Sequence, residues 1–200
     1  MNSVNRTNLL PTLSRTSPVL FLIILLFNCI IAPSYGAFYL FVIYVLVVLS
    51  NWVIKHLMVK PLYNIFNKTK LPILGIGARP SGAASCEFIL DNKIAKSFGM
   101  PSGHSQVAWT AATYIIARII TNWKNANKNN KVITTFGYIW LILSCLLVMA
   151  GALYISYSRV YIEGCHTIEQ VTTGGLLGII CGFLIYYFEG DAVAVLSRIY

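Results

Sequence analysis

Apolar residues gather in long runs broken by short polar gaps, and this rhythm predicts helices that cross a membrane. About 20 apolar residues span a bilayer. Five runs come near that length, at about residues 19–32, 37–54, 106–123, 132–157 and 168–188. The first is short and holds Asn28, and Pro33-Ser34-Tyr35-Gly36 after it reads as a turn. The third carries Arg118 near its end, where a long side chain reaches back to the interface. The fifth has Gly174, Gly178 and Gly182 at four-residue spacing, a small-residue face for close helix packing. The expected fold is all-α, an integral membrane helical bundle of about five transmembrane helices forming a single membrane-embedded domain over residues 1–200.

Composition agrees. Of 200 residues, 57% are hydrophobic and 10% charged, against about 25% charged in soluble domains. The net charge of +9 lies in the gaps between apolar runs and not on one polar face. That disfavours nucleic acid as a partner and fits membrane flanks, while leaving some cations to bind an anionic substrate. No CxxC pair points to zinc or thioredoxin-like chemistry. Cys29, Cys145 and Cys181 fall in apolar runs, whereas Cys86 and Cys165 fall in polar loops and are a candidate disulfide if that side is oxidising.

Five crossings place the N-terminus, the long polar stretch of residues 56–101 and the short loop of residues 158–165 on one side. The Asn- and Lys-rich loop of residues 124–131 and the C-terminus fall on the other. Lysines 124, 128 and 131 favour the cytoplasm for that loop. The sequons at Asn5 and Asn67 lie on the opposite side. Arg6 and Arg15 before an apolar stretch, with Ser34-Tyr35-Gly36 after it, resemble a signal peptide, but the apolar run that follows at once favours a retained span.

Three histidines occur, and two of them, His104 and His166, begin apolar runs on the same side. Pro101-Ser102-Gly103 before His104 reads as a helix start, whose backbone N–H groups and dipole favour an anion. Arg159 ends the fourth run, and Arg79 sits in the long polar stretch. Guanidinium groups grip phosphate oxygens bidentately. Two histidines, two arginines and an anion-binding helix start supply a nucleophile, an acid and an electrostatic cradle for phosphoryl transfer without a metal. A cysteine phosphatase would need Arg six residues after Cys, where Val171 and Asn92 stand. The six acidic residues offer no carboxylate cluster for a metal.

Arg79-Pro80, Pro101-Ser102-Gly103-His104 and Ser158-Arg159 followed by His166 resemble, in order, the three motifs of the type 2 phosphatidic acid phosphatase family, which shares its site with the vanadium haloperoxidases. The likeness covers about residues 51–180 and is greatest to dolichyl-diphosphatase-like members, through Asn51, Gly99-Met100, Ser105-Gln106, Thr167 and Gln170-Val171. The resemblance implies that His166 attacks phosphorus to form a phosphohistidine. It implies that Lys55, Arg79, Ser102, Gly103 and Arg159 hold the phosphoryl oxygens, and that His104 protonates the leaving oxygen and then activates water. No cofactor is implied. The partners are a lipid phosphate or diphosphate and the bilayer, and the location is an internal membrane such as the endoplasmic reticulum, with the site facing away from the cytoplasm. A phosphatidate or other lipid monophosphate phosphatase, a catalytically dead binding or structural protein, and a small transporter or channel are the alternatives.

Three positions depart from the family pattern. Pro72 stands where the first-motif lysine is usual, leaving Lys55, Lys60 and Lys70 as candidates, with Lys55 preferred because it ends an apolar run. Six residues separate Arg159 from His166 where five are usual, an excess that Glu163-Gly164 is expected to absorb. Gln170 replaces the Asp that orients the nucleophile. It is expected to orient His166 through its amide oxygen, with Glu169 as the rival for that role.

Overall fold

The computed structural model describes residues 9–67, 69–83, 98–128 and 135–199. Five long helices form an up-and-down bundle: α1 (Leu9–Ile31), α2 (Tyr35–Val53), α4 (Gly103–Lys128), α5 (Thr135–Tyr157) and α6 (Ile168–Ile199). α2 runs on through a π-helical turn (Ile54–Val59) into the short α3 (Lys60–Ile65), and α5 continues into a second π-helical turn (Ser158–Ile162). A two-stranded antiparallel hairpin, β1 (Lys70–Leu71) and β2 (Gly75–Ile76), follows α3 and pairs Lys70 with Ile76. The chain therefore stays helical to Ile65, whereas the long polar stretch between the second and third runs was expected to begin at about residue 56.

α1, α2 with its extension, α5 with its extension, and α6 are each long and apolar enough to cross a membrane. α4 is not among them, because it is the central helix and packs against α1, α2, α5 and α6. Its polar residues Ser105, Gln106 and Thr110 are buried against protein and do not meet lipid. At 1.5 Å per residue, its 26 residues still measure about 39 Å, more than a hydrocarbon core of about 30 Å.

The glycine face expected on α6 meets α4 backbone to backbone. A methyl group on Gly174, Gly178 or Gly182 would lie 2.4, 2.3 or 2.6 Å from the carbonyl oxygens of Ser102, Gln106 and Thr110. Successive turns of α4 thus rest on successive glycines of α6, which fixes the register of the two helix starts. α1 begins about ten residues before its apolar run, since Ser14 and Ser17 are buried against protein. Pro18 lies within α1 and has no N–H to offer the Ser14 carbonyl, which instead accepts from Ser17 Oγ at 2.9 Å. The Tyr44 hydroxyl of α2 bonds the Pro18 carbonyl.

Large apolar side chains such as Leu147, Ile31 and Phe183 point outward, while the largest fully buried ones include Arg159, Gln106 and Gln170. This inside-out arrangement suits a chain whose outer surface meets lipid and whose interior holds a polar site.

Candidate active site

The up-and-down bundle brings five element ends to one face: the start of α1, the π-helical end of α2, the start of α4, the π-helical end of α5 and the start of α6. All the nominated site residues lie there. Both π-helical turns carry one. Lys55 sits in the first, where the Lys60 N–H reaches back five residues to the Lys55 carbonyl. Arg159 sits in the second, where the Glu163 N–H bonds Ser158 O at 2.8 Å. A π-turn holds one residue more than an α-turn. Here it absorbs the extra residue between Arg159 and His166 together with Gly164, whose φ of +60° reverses the chain. The N–H groups of Cys165 and His166 then both bond Arg159 O, at 3.0 and 3.2 Å, and so clamp His166 to the arginine turn.

His166 is buried, and Gln170 orients it. Gln170 Oε1 lies 2.9 Å from His166 Nδ1. The Gln170 amide cannot be reversed, because its Nε2 donates to Ile76 O at 2.8 Å and Ala78 O at 2.7 Å. Oε1 is therefore the acceptor, Nδ1 carries the proton and Nε2 bears the lone pair. Arg79 gives independent support, since a guanidinium only donates and its Nη1 lies 3.4 Å from His166 Nε2. Burial pushes the His166 imidazolium down to about 3, with the Arg79 charge adding to it and the Gln170 bond opposing it. Lys55 and Arg159 also lie close enough for their charges to depress it. The ring is neutral at physiological pH, as a nucleophile must be.

Thr167 caps α6. Gln170 N–H donates to Thr167 Oγ1, and Thr167 N–H to Gln170 Oε1, both at 3.4 Å. This is a capping box, which takes Glu or Gln at its fourth position. Glu169 packs instead on Gly75 and lines the hairpin with Lys70. Lys60 is exposed at the start of α3. Of the three candidate lysines, Lys55 is the one whose charge acts on His166.

The loop carrying Arg79 is tied down on both flanks. Tyr63 OH donates to Gly75 O at 2.6 Å, and the N–H groups of Gly99 and Met100 bond Gly77 O at 3.1 and 3.2 Å. Arg79 Nη1 also donates to Cys165 O at 3.1 Å. Ser102 N–H bonds Gln170 O at 3.0 Å, which joins the start of α4 to that of α6. Helical bonding on α4 begins with Gln106 N–H to Ser102 O at 3.0 Å, so the N–H groups of Gly103, His104 and Ser105 have no acceptor within the helix. Asn51 stands behind Gly103, its Oδ1 3.1 Å from where a methyl group would be, and donates to Gln106 Oε1 at 2.7 Å. Ser102 Oγ is fully buried with no hydrogen-bond partner among the described residues. Such an orphan costs about 1–3 kcal/mol, and a phosphate oxygen would satisfy it.

A family model described as the PAP2 superfamily matches residues 35–194. The chain belongs to the PAP2 superfamily. Its relatives include dolichyldiphosphatase of Saccharomyces cerevisiae, 33% identical over 100 residues, covering 50% of this chain and 37% of the yeast protein. Dolichyldiphosphatase 1 of Mus musculus is 28% identical over 128 residues, covering 64% and 42%, and that of Homo sapiens 26% over 146 residues, covering 73% and 50%. The chain thus spans half or less of the length of these relatives. No solved structure matches it.

Beside the PAP2 motif residues stand three that sequence reading missed. Ser14 accepts from Arg159 Nη2 at 3.0 Å, and Arg15 Nε donates to Glu163 Oε2 at 2.8 Å. The Arg15 carbonyl lies 3.1 Å from His104 Nε2. No local signal marked them, whereas the Thr-x-x-Gln pattern at residues 167–170 was readable as a capping box. Cys165 is disulfide-bonded, and Cys29, Cys145 and Cys181 are free. Cys86, its expected partner, lies outside the described residues, as does the sequon residue Asn5.

Proposed function

We propose that the chain is a membrane lipid phosphatase that hydrolyses a lipid phosphate or prenyl diphosphate through a phosphohistidine on His166. The observation that carries this is the geometry at His166, whose Nδ1 lies 2.9 Å from Gln170 Oε1 and whose Nε2 faces Arg79 Nη1 at 3.4 Å. Nε2 attacks phosphorus, and the bond to the leaving oxygen breaks. Arg79, Arg159, Lys55, Ser102 Oγ and the Gly103 N–H take the charge that spreads over the equatorial oxygens. His104 donates a proton to the leaving oxygen, then takes one from the water that attacks the phosphohistidine. The cationic groups of the chain itself supply the electrostatic stabilisation.

The dolichyldiphosphatase relatives support a prenyl diphosphate as substrate. A disulfide at Cys165 persists in an oxidising compartment, and Asn67 is exposed on the site side. Both support an internal membrane such as the endoplasmic reticulum, with the site facing away from the cytoplasm. Phosphate release by detergent-purified protein from a panel of prenyl diphosphates, prenyl monophosphates and phosphatidate tests the reading. Preferred turnover of the diphosphates is expected. Preference for phosphatidate would replace the substrate, and no turnover of any would overturn the function.

A further inference from the structure

α1 precedes the residues matched by the family model, yet its first turns enter the site. Arg15 reaches it at both ends. Its Nε donates to Glu163 Oε2 at 2.8 Å, and its carbonyl accepts from His104 Nε2 at 3.1 Å. The Glu163 side chain is 2% exposed. Its Oε1 lies 3.4 Å from Arg159 Nη2 and accepts from Ser158 Oγ at 3.3 Å. One buried carboxylate thus stands between two guanidinium groups, and Ser14 Oγ accepts a hydrogen bond from Arg159 Nη2.

We propose that Arg15 and Glu163 are positioning residues which act as one unit, holding Arg159 for the phosphoryl group and His104 for the leaving group. Arg159 is wholly buried, and Glu163 is the carboxylate that stands between its charge and that of Arg15. The Arg15–Glu163 pair also anchors the α1 backbone, and with it the carbonyl that orients His104. A carbonyl only accepts, so His104 Nε2 keeps its proton throughout; Nδ1, protonated in the imidazolium, gives its proton to the leaving oxygen and, once bare, takes one from the attacking water.

The inference rests on the function proposed above, and the full-length protein tests both. Turnover of a prenyl diphosphate is measured for Arg15→Gln, Glu163→Gln, the double variant and Arg15→Lys, beside His166→Ala. Each Gln variant should lose roughly ten- to hundredfold in kcat/KM, the range for bonds to charged groups. The double variant should be no worse than the poorer single, and Arg15→Lys should recover part of the loss. An aryl phosphate whose leaving group needs no proton should narrow the Arg15→Gln deficit, which a merely structural role would not do. Parent-like single variants, losses that multiply, or a deficit equal for both substrates would overturn the inference. If His166→Ala is inactive while Arg15→Gln and Glu163→Gln match the parent, only this inference falls. If His166→Ala stays active, the proposed function falls with it.

Discussion

Gln170→Glu isolates what the amide does beyond orienting a histidine. The change keeps size and shape and retains an oxygen for His166 Nδ1. It replaces the Nε2 donor with an oxygen facing Ile76 O and Ala78 O, at 2.8 and 2.7 Å in the parent. Two hydrogen bonds become two repulsive contacts in a fully buried place. Leaving a buried polar group unsatisfied costs about 1–3 kcal/mol each, so the two together cost about 2–6 kcal/mol. The loop relieves this by shifting, and it carries Arg79 away from His166 Nε2. A hundredfold fall in kcat/KM near neutral pH is expected, roughly 2.7 kcal/mol. Protonation of the introduced carboxyl restores one donor, so the ratio of parent to variant rates should narrow as the pH falls. Initial rates across pH, with melting curves in detergent to confirm folding, provide the assay. A parent-like rate at neutral pH, or a deficit that ignores pH, would refute the reasoning.

Gln170→Asp keeps an acceptor for the ring but is shorter and lacks donors; it should retain measurable activity below that of the parent, whereas Glu169→Gln, away from the ring, should leave kcat/KM within about twofold. Gly178→Leu should lower the melting temperature sharply and cost about 3 kcal/mol or more, because its side chain meets α4 backbone; an unchanged melting curve would contradict the glycine seam. The folded-state pKa of His166 is depressed to about 3 from an ordinary value of about 6.5. Its contribution to stability is therefore fully present above about pH 6.5 and lost as the pH falls towards 3, and His166→Asn should flatten that part of the stability–pH curve. Vanadate should inhibit competitively, as a transition-state mimic, and EDTA should leave turnover unchanged; activity lost to EDTA and restored by Mg²⁺ would reject the mechanism.

Hydropathy disclosed the five long helices, because lipid-facing turns must be apolar whatever the tertiary contacts. It misjudged their ends for the same reason. Leu9–Ser17 and Ile54–Ile65 are helical, but their polar residues, some buried like Ser14 and Ser17 and some exposed like Lys60 and Asn64, break the apolar count. The motif residues were legible because short local patterns carry them: Pro101-Ser102-Gly103-His104 at a helix start, Ser158-Arg159 at a run's end and Arg79-Pro80 in a loop. Its place at a run's end favours Lys55 over Lys60 and Lys70, and the fold sends Lys70 to the hairpin beside Glu169. Arg15 and Glu163 are 148 positions apart, and no periodicity or spacing links residues that meet only because α1 folds back over the end of α5. The amide orientation of Gln170 was equally hidden, since it depends on carbonyls of a loop more than 90 positions away.

The central claim is a phosphoryl group carried on His166 Nε2. Protein quenched during turnover of a substrate labelled at its terminal phosphate should hold label that is stable to alkali, labile to acid and confined to the peptide containing His166. The label should be absent from His166→Ala, and should persist longer in His104→Ala, because the water that attacks the phosphohistidine then lacks its base. Normal turnover by His166→Ala, or label on any other residue, would contradict the account.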